Sequence, residues 1–169
     1  MLKPIGAEKE NKMKCDILLK GGHVLDPKNE VDGKFDVAID KGLIASVAPN
    51  LPIESALKII DVSGLYVTPG LIDIHIHAYA TPGHRNAWAG DNSILPDGFS
   101  FRAGVTTMVD TGSAGWRNID DFRNRVIDRC QTRLFAFVNI CGLGMTDIAH
   151  EQNLYDLDPR LTAEIAKDN

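Results

Sequence analysis

The sequence predicts an α/β protein in two parts, a small all-β unit followed by the start of a parallel βα array. Three observations carry this. Residues 16–68 hold short apolar runs separated by glycine-containing turns, with no helical period between them. From Pro69-Gly70 onward, strand-like runs alternate with amphipathic stretches, the pattern of parallel βα units. The 169 residues are 44% apolar and 24% charged, a globular composition that excludes disorder or collagen and suffices for a substantial core. The expected divisions are a polar tail over 1–13, a partial β-sandwich over 14–68 and the βα array over 69–169.

Within the first part, DILLK, Gly21-Gly22 and HVLD read as a hairpin, because paired glycines supply the positive φ of a tight turn. FDVAID, Lys41-Gly42 and LIASVA repeat that pattern. KIIDV and LYVT follow on either side of Ser63-Gly64. In the second part LIDIHIH reads as a strand, followed by a loop from Thr81 to Asn92 rich in Gly, Pro and Asn. A helix is expected over Leu95–Ala103 with Gly104 ending it, then VTTMVD as the next strand. The second expected helix, Ile119 to Cys130, places Ile119, Phe122, Val126, Ile127 and Cys130 on one face. Asn118 with Asp121 is its expected cap. LFAFVNI is nearly all apolar and predicts a strand buried on both faces. Asp158-Pro159 opens a last helix with Leu161 and Ile165 inward. Only three strands fall in this array, and the last helix has no following strand to pack against.

Charge and composition narrow the partners. Lys and Arg total 18 against 23 Asp and Glu, a net charge of −5, and there is no polybasic run, so neither nucleic acid nor an anionic membrane is an expected partner. No apolar stretch approaches the roughly 20 residues that cross a bilayer, and the first 14 residues lack an apolar signal segment. Met13 is an alternative start. Cys15, Cys130 and Cys141 cannot all pair and form no CxxC, which points to a reducing, cytoplasmic setting.

The sharpest chemical signal is Pro69-Gly70-Leu-Ile-Asp73-Ile-His75-Ile-His77. Alternation along a strand sends Asp73, His75 and His77 to one face and Ile72, Ile74 and Ile76 to the other. Neighbouring same-face positions lie about 7 Å apart, close enough for two imidazoles to converge on one ion with Zn–N bonds of about 2.0–2.1 Å. At the end of a parallel strand the pair faces the mouth of the sheet, where ligands bind. A bare HxH is more often two histidines on a polar strand face; the preceding PGxxD at a β-to-α/β boundary favours metal. Asp73 reads either as a group orienting the histidines or as a cap on the strand backbone.

At these residues the sequence resembles the amidohydrolase superfamily, in its deacetylase and dihydroorotase-like branch. The resemblance extends through DIHIHAY, GDNSILPDGFSFRAGVTTMVDTGSAGWRN and VIDRCQTRLFAFVNICGLGM. It implies a (β/α)₈ TIM-type barrel preceded by a small β-sandwich, here continued through about three βα units. It implies a hydroxide held by divalent metal, commonly two zinc ions, that hydrolyses amide, N-acyl or O-acyl bonds of small molecules. His75 and His77 match metal ligands of the first barrel strand. The family's remaining ligands, a lysine on the fourth strand, histidines on the fifth and sixth and an aspartate on the eighth that also moves the proton, match nothing in this sequence. A barrel takes about 250 residues. The chain is therefore read as the N-terminal part of a longer enzyme, inactive alone and without a catalytic base of its own; a homo-oligomer is left open for the complete protein. Dihydroorotases carry an arginine and an asparagine where this sequence has Tyr79 and Ser113. A neutral phenol cannot replace a bidentate guanidinium on a carboxylate, so a deacetylase-like reading is preferred over a dihydroorotase or hydantoinase. Tyr79 and Ser113 are candidate substrate contacts, with loop packing the equal alternative.

Three rival readings are weaker. Asp110-Thr-Gly-Ser113 spells an aspartic-protease motif, but it sits between a strand and an amphipathic helix. CGLGMTD imitates a dinucleotide-binding turn without its third glycine or its later acidic residue, and Cys141 within it reads as buried packing rather than a ligand. A non-enzymatic module would leave LFAFVNI as an apolar edge without protective charge or proline. His84 and His150 are expected at the surface, and His23 has no evident partner.

Overall fold

The structure, a computed structural model, describes residues 14–81 and 83–168. The polar tail expected over 1–13 lies outside the described residues. The chain divides into two compact units, Met1–Pro69 and Gly70–Asn169.

The first unit holds β1 (Cys15–Asp26), β2 (Val31–Asp40), β3 (Leu43–Ala48), β4 (Ala56–Asp61) and β5 (Tyr66–Val67). They form one mixed sheet in the order β3-β2-β1-β4, with β5 also paired to β1. Lys41 and Gly42, at φ of 51° and 77°, make the tight turn between β2 and β3. The expected hairpin at Gly21-Gly22 does not form. DILLK and HVLD are two halves of one strand, with a register shift between Leu19 and Gly22 against β2. Gly21, at φ 78°, supplies a bulge rather than a reversal. The strand can run straight through because β2 begins at Val31 and offers it an antiparallel partner along nearly its whole length. The bulge also divides β1 between two parallel neighbours, Cys15–Lys20 with β4 and His23–Val24 with β5. His23, expected to lack a partner, meets Asp32 at 2.6 Å across the β1–β2 pair and packs on Tyr66.

Cys15, Leu18 and Ala38 are the buried residues of a small core cluster, joined by Leu51 and Ala56. Beside it Asp36, 4% exposed, takes the ammonium of Lys20 at 2.6 Å and the backbone N–H groups of Gly21 and Leu51 at 2.8 Å each. Burial alone would raise its pKa; the Lys20 bond and the two N–H donors outweigh burial and hold it below the ordinary value.

The second unit holds three parallel strands in the order β6-β7-β8: β6 (Leu71–Ile76), β7 (Val105–Asp110) and β8 (Arg133–Ala136). Short helices α1 (Pro96–Phe99) and α2 (Ile119–Phe122) lie in the crossovers, and α3 (Ile148–Glu151) and α4 (Pro159–Asp168) follow β8. Each strand contributes one buried apolar side chain, Ile76, Met108 and Leu134, to a core completed by Tyr79, Ile119, Phe122 and alanines of the loops. This is the βα succession that opens a barrel.

Several local expectations are corrected. The helix expected over 95–103 is α1 followed by a 3₁₀ turn, Phe101–Ala103. The helix expected over 119–130 is α2 continued by a π turn, Arg123–Ile127, although its apolar face does pack on the core. Asn118 does not cap α2: its Oδ1 accepts from Gly115 N–H and its Nδ2 donates to Leu143 O. Of LFAFVNI only Leu134 to Ala136 lies in β8, and one face is open, with Leu134 at 7% exposure against 55% for Phe135. Asp158 caps α4 through the N–H groups of Arg160 and Leu161; Ile165 packs on the core but Leu161 stays exposed.

Asp36→Ala is expected to cost about 2–4 kcal/mol in urea unfolding, because it strands a charge and two N–H donors. Because the folded pKa of Asp36 is lowered, its contribution is complete above the unfolded value near 3.8 and is lost as the pH falls through the folded value. Asp36→Asn should therefore flatten the acid limb of the stability–pH curve.

Candidate metal centre

β6 carries Asp73 and His75, with a register shift against β7 between Asp73 and Ile76, and His77 follows just past its last residue. The two imidazole centroids lie 5.6 Å apart at 79°. His75 is exposed; His77 is half-buried and stacks on Trp88 at 5.2 Å and 29°. Nδ1 of His77 lies 3.0 Å from Ser113 Oγ. An open cavity of ≈ 400 Å³ adjoins both rings, with Asp73, Trp88, Asn92 and Phe99 in its wall.

The strand ends here for a definable reason. The N–H of Ala78, the residue after His77, donates to Asp110 Oδ2 at 2.7 Å. Oδ1 of the same carboxylate accepts from Gly112 N–H at 3.1 Å and Ser113 N–H at 2.7 Å. Asp110 is fully buried and stitches the loops after β6 and β7 together. The long loop after β6 is closed by Ile94 N–H on His77 O and tied to the loop after β8 by Ala89 N–H on Met145 O. These bonds bring Trp88 over His77.

Burial holds the His77 pKa below its ordinary value. Asp110 pulls it up, His75 pushes it down again, and Glu151 pulls it up, but the net is downward. A neutral imidazole is the form that binds metal. With Nδ1 turned to Ser113, Nε2 is the ring nitrogen left for an ion. The pair thus fits two nitrogen ligands of a zinc-type site. Among the described residues no group of three or more His, Cys, Asp or Glu gathers as a metal site.

The other candidates are placed as follows. Asp73 accepts from the His75 backbone N–H at 3.1 Å, so it caps the strand and does not orient a ring. Ser113 is fully buried. Tyr79 is 3% exposed; its ring packs on Phe122 and its hydroxyl donates to Asp121 Oδ2 at 2.7 Å. Burial and the Asp121 carboxylate push its pKa up to about 12. Asp110 has no free face for protease chemistry, since three N–H groups engage its carboxylate. Cys141 is buried with its thiol against His150 O, and burial raises its pKa. His84 and His150, expected at the surface, are half-buried with rings 6.4 Å apart, and His150 pairs with Asp147.

Sequence reading missed the roles of Asp110 and Trp88. The first had a signal: an aspartate accepting from the N–H two residues on is a standard Asx turn, and Asp110-Thr-Gly112 has that form. Trp88 had none, because its stack depends on the path of the whole loop.

No family model matches the chain. A deacetylase of Brucella anthropi is 31% identical over 129 residues, 75% of this chain and 30% of that protein. A dihydroorotase of Elusimicrobium minutum is 34% identical over 129 residues, 75% of this chain and 28% of that protein. Among solved structures, an adenine deaminase matches with a TM-score of 0.70 at 27% identity, over 92% of this chain and 39% of that one. The chain therefore spans less than a third of the length of these curated relatives.

Tyr79→Phe is expected to cost about 0.5–1.5 kcal/mol in urea unfolding, the worth of the hydrogen bond to Asp121. Tyr79→Ala, which also empties the space against Phe122, should cost about 3–5 kcal/mol. Unchanged stability in both variants would remove Tyr79 from the core and return it to the ligand surface.

Proposed function

The chain belongs to the amidohydrolase superfamily, and on that premise we propose that it carries the first metal-binding strand of a hydrolase acting on amide, N-acyl or O-acyl bonds of small molecules. The observation that carries the proposal is the convergence of His75 and His77 at the end of the first parallel strand. When bound, the metal, zinc in this reading and two ions in the complete enzyme, lowers the pKa of water to about 7 and polarises the scissile carbonyl. The residues of this chain do the rest of what can be assigned to them. His75 and His77 donate ring nitrogens. Burial keeps His77 neutral, and the Trp88 indole shields its face from water.

Two imidazoles are fewer than the three protein ligands a catalytic zinc takes. Hydrolysis is accordingly assigned to the complete protein, of which a homo-oligomer is one form to test, and no proton-transfer base is assigned within the described residues. Among those residues no helix is long and apolar enough to cross a membrane, and a cytoplasmic setting is part of this proposal, which the three free cysteines support.

A cyclic-amide hydrolase of the dihydroorotase or hydantoinase kind is the second reading, favoured by the Elusimicrobium relative. Position 79 weighs against it. The arginine that would grip a substrate carboxylate is replaced by a buried phenol already bonded to Asp121.

In the complete enzyme, His75→Ala should remove bound zinc and hydrolysis together, by more than the about 10–100-fold that losing a residue which merely orients a ligand costs. Metal content by plasma mass spectrometry and turnover of N-acetyl, O-acetyl and cyclic-amide substrates check this. Unchanged zinc would sink the ligand assignment, and turnover confined to the cyclic amide would select the second reading.

A further inference from the structure

We propose that Ser113 and Asp110 are positioning residues that set the tautomer of His77, keeping its proton on Nδ1 and leaving Nε2 as the metal-binding nitrogen. The inference rests on reading His77 as a ligand and reassigns Ser113 from substrate contact to support.

Ser113 has no exposed surface, and its Oγ lies 3.0 Å from His77 Nδ1. A hydroxyl so enclosed, already bonded to the imidazole, offers nothing to a molecule in the cavity. The position of that hydroxyl is set by Asp110. One buried carboxylate holds the N–H groups of Gly112 and Ser113 on one loop and of Ala78, next to His77, on the other. The two partners of the Oγ–Nδ1 bond thus hang from the same anion. That anion accepts from the N–H of Ser113, the residue whose hydroxyl meets Nδ1, and a negative charge favours a proton on the ring nitrogen nearer to it, which we infer to be Nδ1. A ring flip would exchange the Ser113 bond for a C–H contact beneath the Trp88 stack. Free neutral histidine prefers its proton on Nε2, so this arrangement reverses an intrinsic preference. His75 is exposed, has no hydroxyl partner on its ring among the described residues, and serves as the internal control.

The test uses the ¹⁵N-labelled 169-residue chain without metal, at a pH where both imidazoles are neutral. Long-range ¹H–¹⁵N correlation spectra should show His77 predominantly as Nδ1–H and His75 predominantly as Nε2–H. Ser113→Ala should move His77 toward Nε2–H, and Ser113→Thr, which keeps the hydroxyl, should restore the wild-type pattern. In the complete enzyme Ser113→Ala should weaken zinc affinity about 10–100-fold with KM of the zinc-loaded enzyme unchanged. Nε2–H at His77 in the wild type overturns the proposal, and needs no variant to fold. So does a Ser113→Ala chain with unaltered tautomer, or one whose loaded enzyme shows a raised KM at unaltered zinc affinity. If His77→Ala leaves zinc binding intact while the spectra show Nδ1–H, it is the ligand reading that fails, not the tautomer assignment.

Discussion

The second unit depends on one buried anion. A carboxylate removed from water must find donors, and Asp110 finds three backbone N–H groups at the place where two strands give way to loops. Those same N–H groups would otherwise be orphans, since a strand that stops pairing leaves its next donors unmatched. The anion and the orphaned donors therefore answer each other. Because the donors flank His77 on one side and Ser113 on the other, satisfying them also fixes the imidazole.

The first unit solves a related problem in the same way. The bulge in β1 takes the Gly21 N–H out of the ladder, and Asp36 accepts it together with Leu51 N–H. The difference is the counterion. Asp36 has the Lys20 ammonium at 2.6 Å, whereas the carboxylate of Asp110 accepts from backbone donors. Asp97 extends the pattern by accepting from the N–H groups of Gln131 and Thr132 just before β8. Aspartates at breaks in regular structure, rather than ion pairs at the surface, organise the irregular parts of both units.

This explains what was legible in the sequence. Period-two alternation showed β6 as a strand, and the apolar stripe of 119–130 showed which side of that segment packs on the core. Both are consequences of local geometry. The Gly21-Gly22 hairpin was misread because a positive-φ glycine serves a bulge as well as a turn, and only the extent of β2 decides between them. The open face of β8 was misread because a run of apolar residues records a preference for burial, not what covers it. The Asn118 cap failed for a third reason: a local donor, Gly115 N–H, and a distant acceptor, Leu143 O, competed successfully for the side chain. In each case the local sequence allows more than one outcome, and contacts made or missing elsewhere in the fold decide between them.

Of the candidate centre, only the histidine pair was legible. HxH on a strand is a local pattern, so His75 and His77 could be named from spacing. What readies them is distributed over three loops: Ser113 and Asp110 after β7, Trp88 after β6, and Met145, whose carbonyl holds the Trp88 loop, after β8. The two positions that seemed to speak of substrate, Tyr79 and Ser113, are both drawn inward, one to Asp121 and one to His77. Their residue types carry a structural demand strong enough to account for them without a ligand. Under the function proposed above, selectivity for an acyl substrate would fall to groups that remain on the cavity side of the imidazoles, of which Asn92 and the half-exposed Trp88 are the polar and aromatic examples. An indole already stacked on the His77 imidazole is held rigid at little entropic cost, which would suit it to packing against the flat or aliphatic acyl group of the proposed substrate.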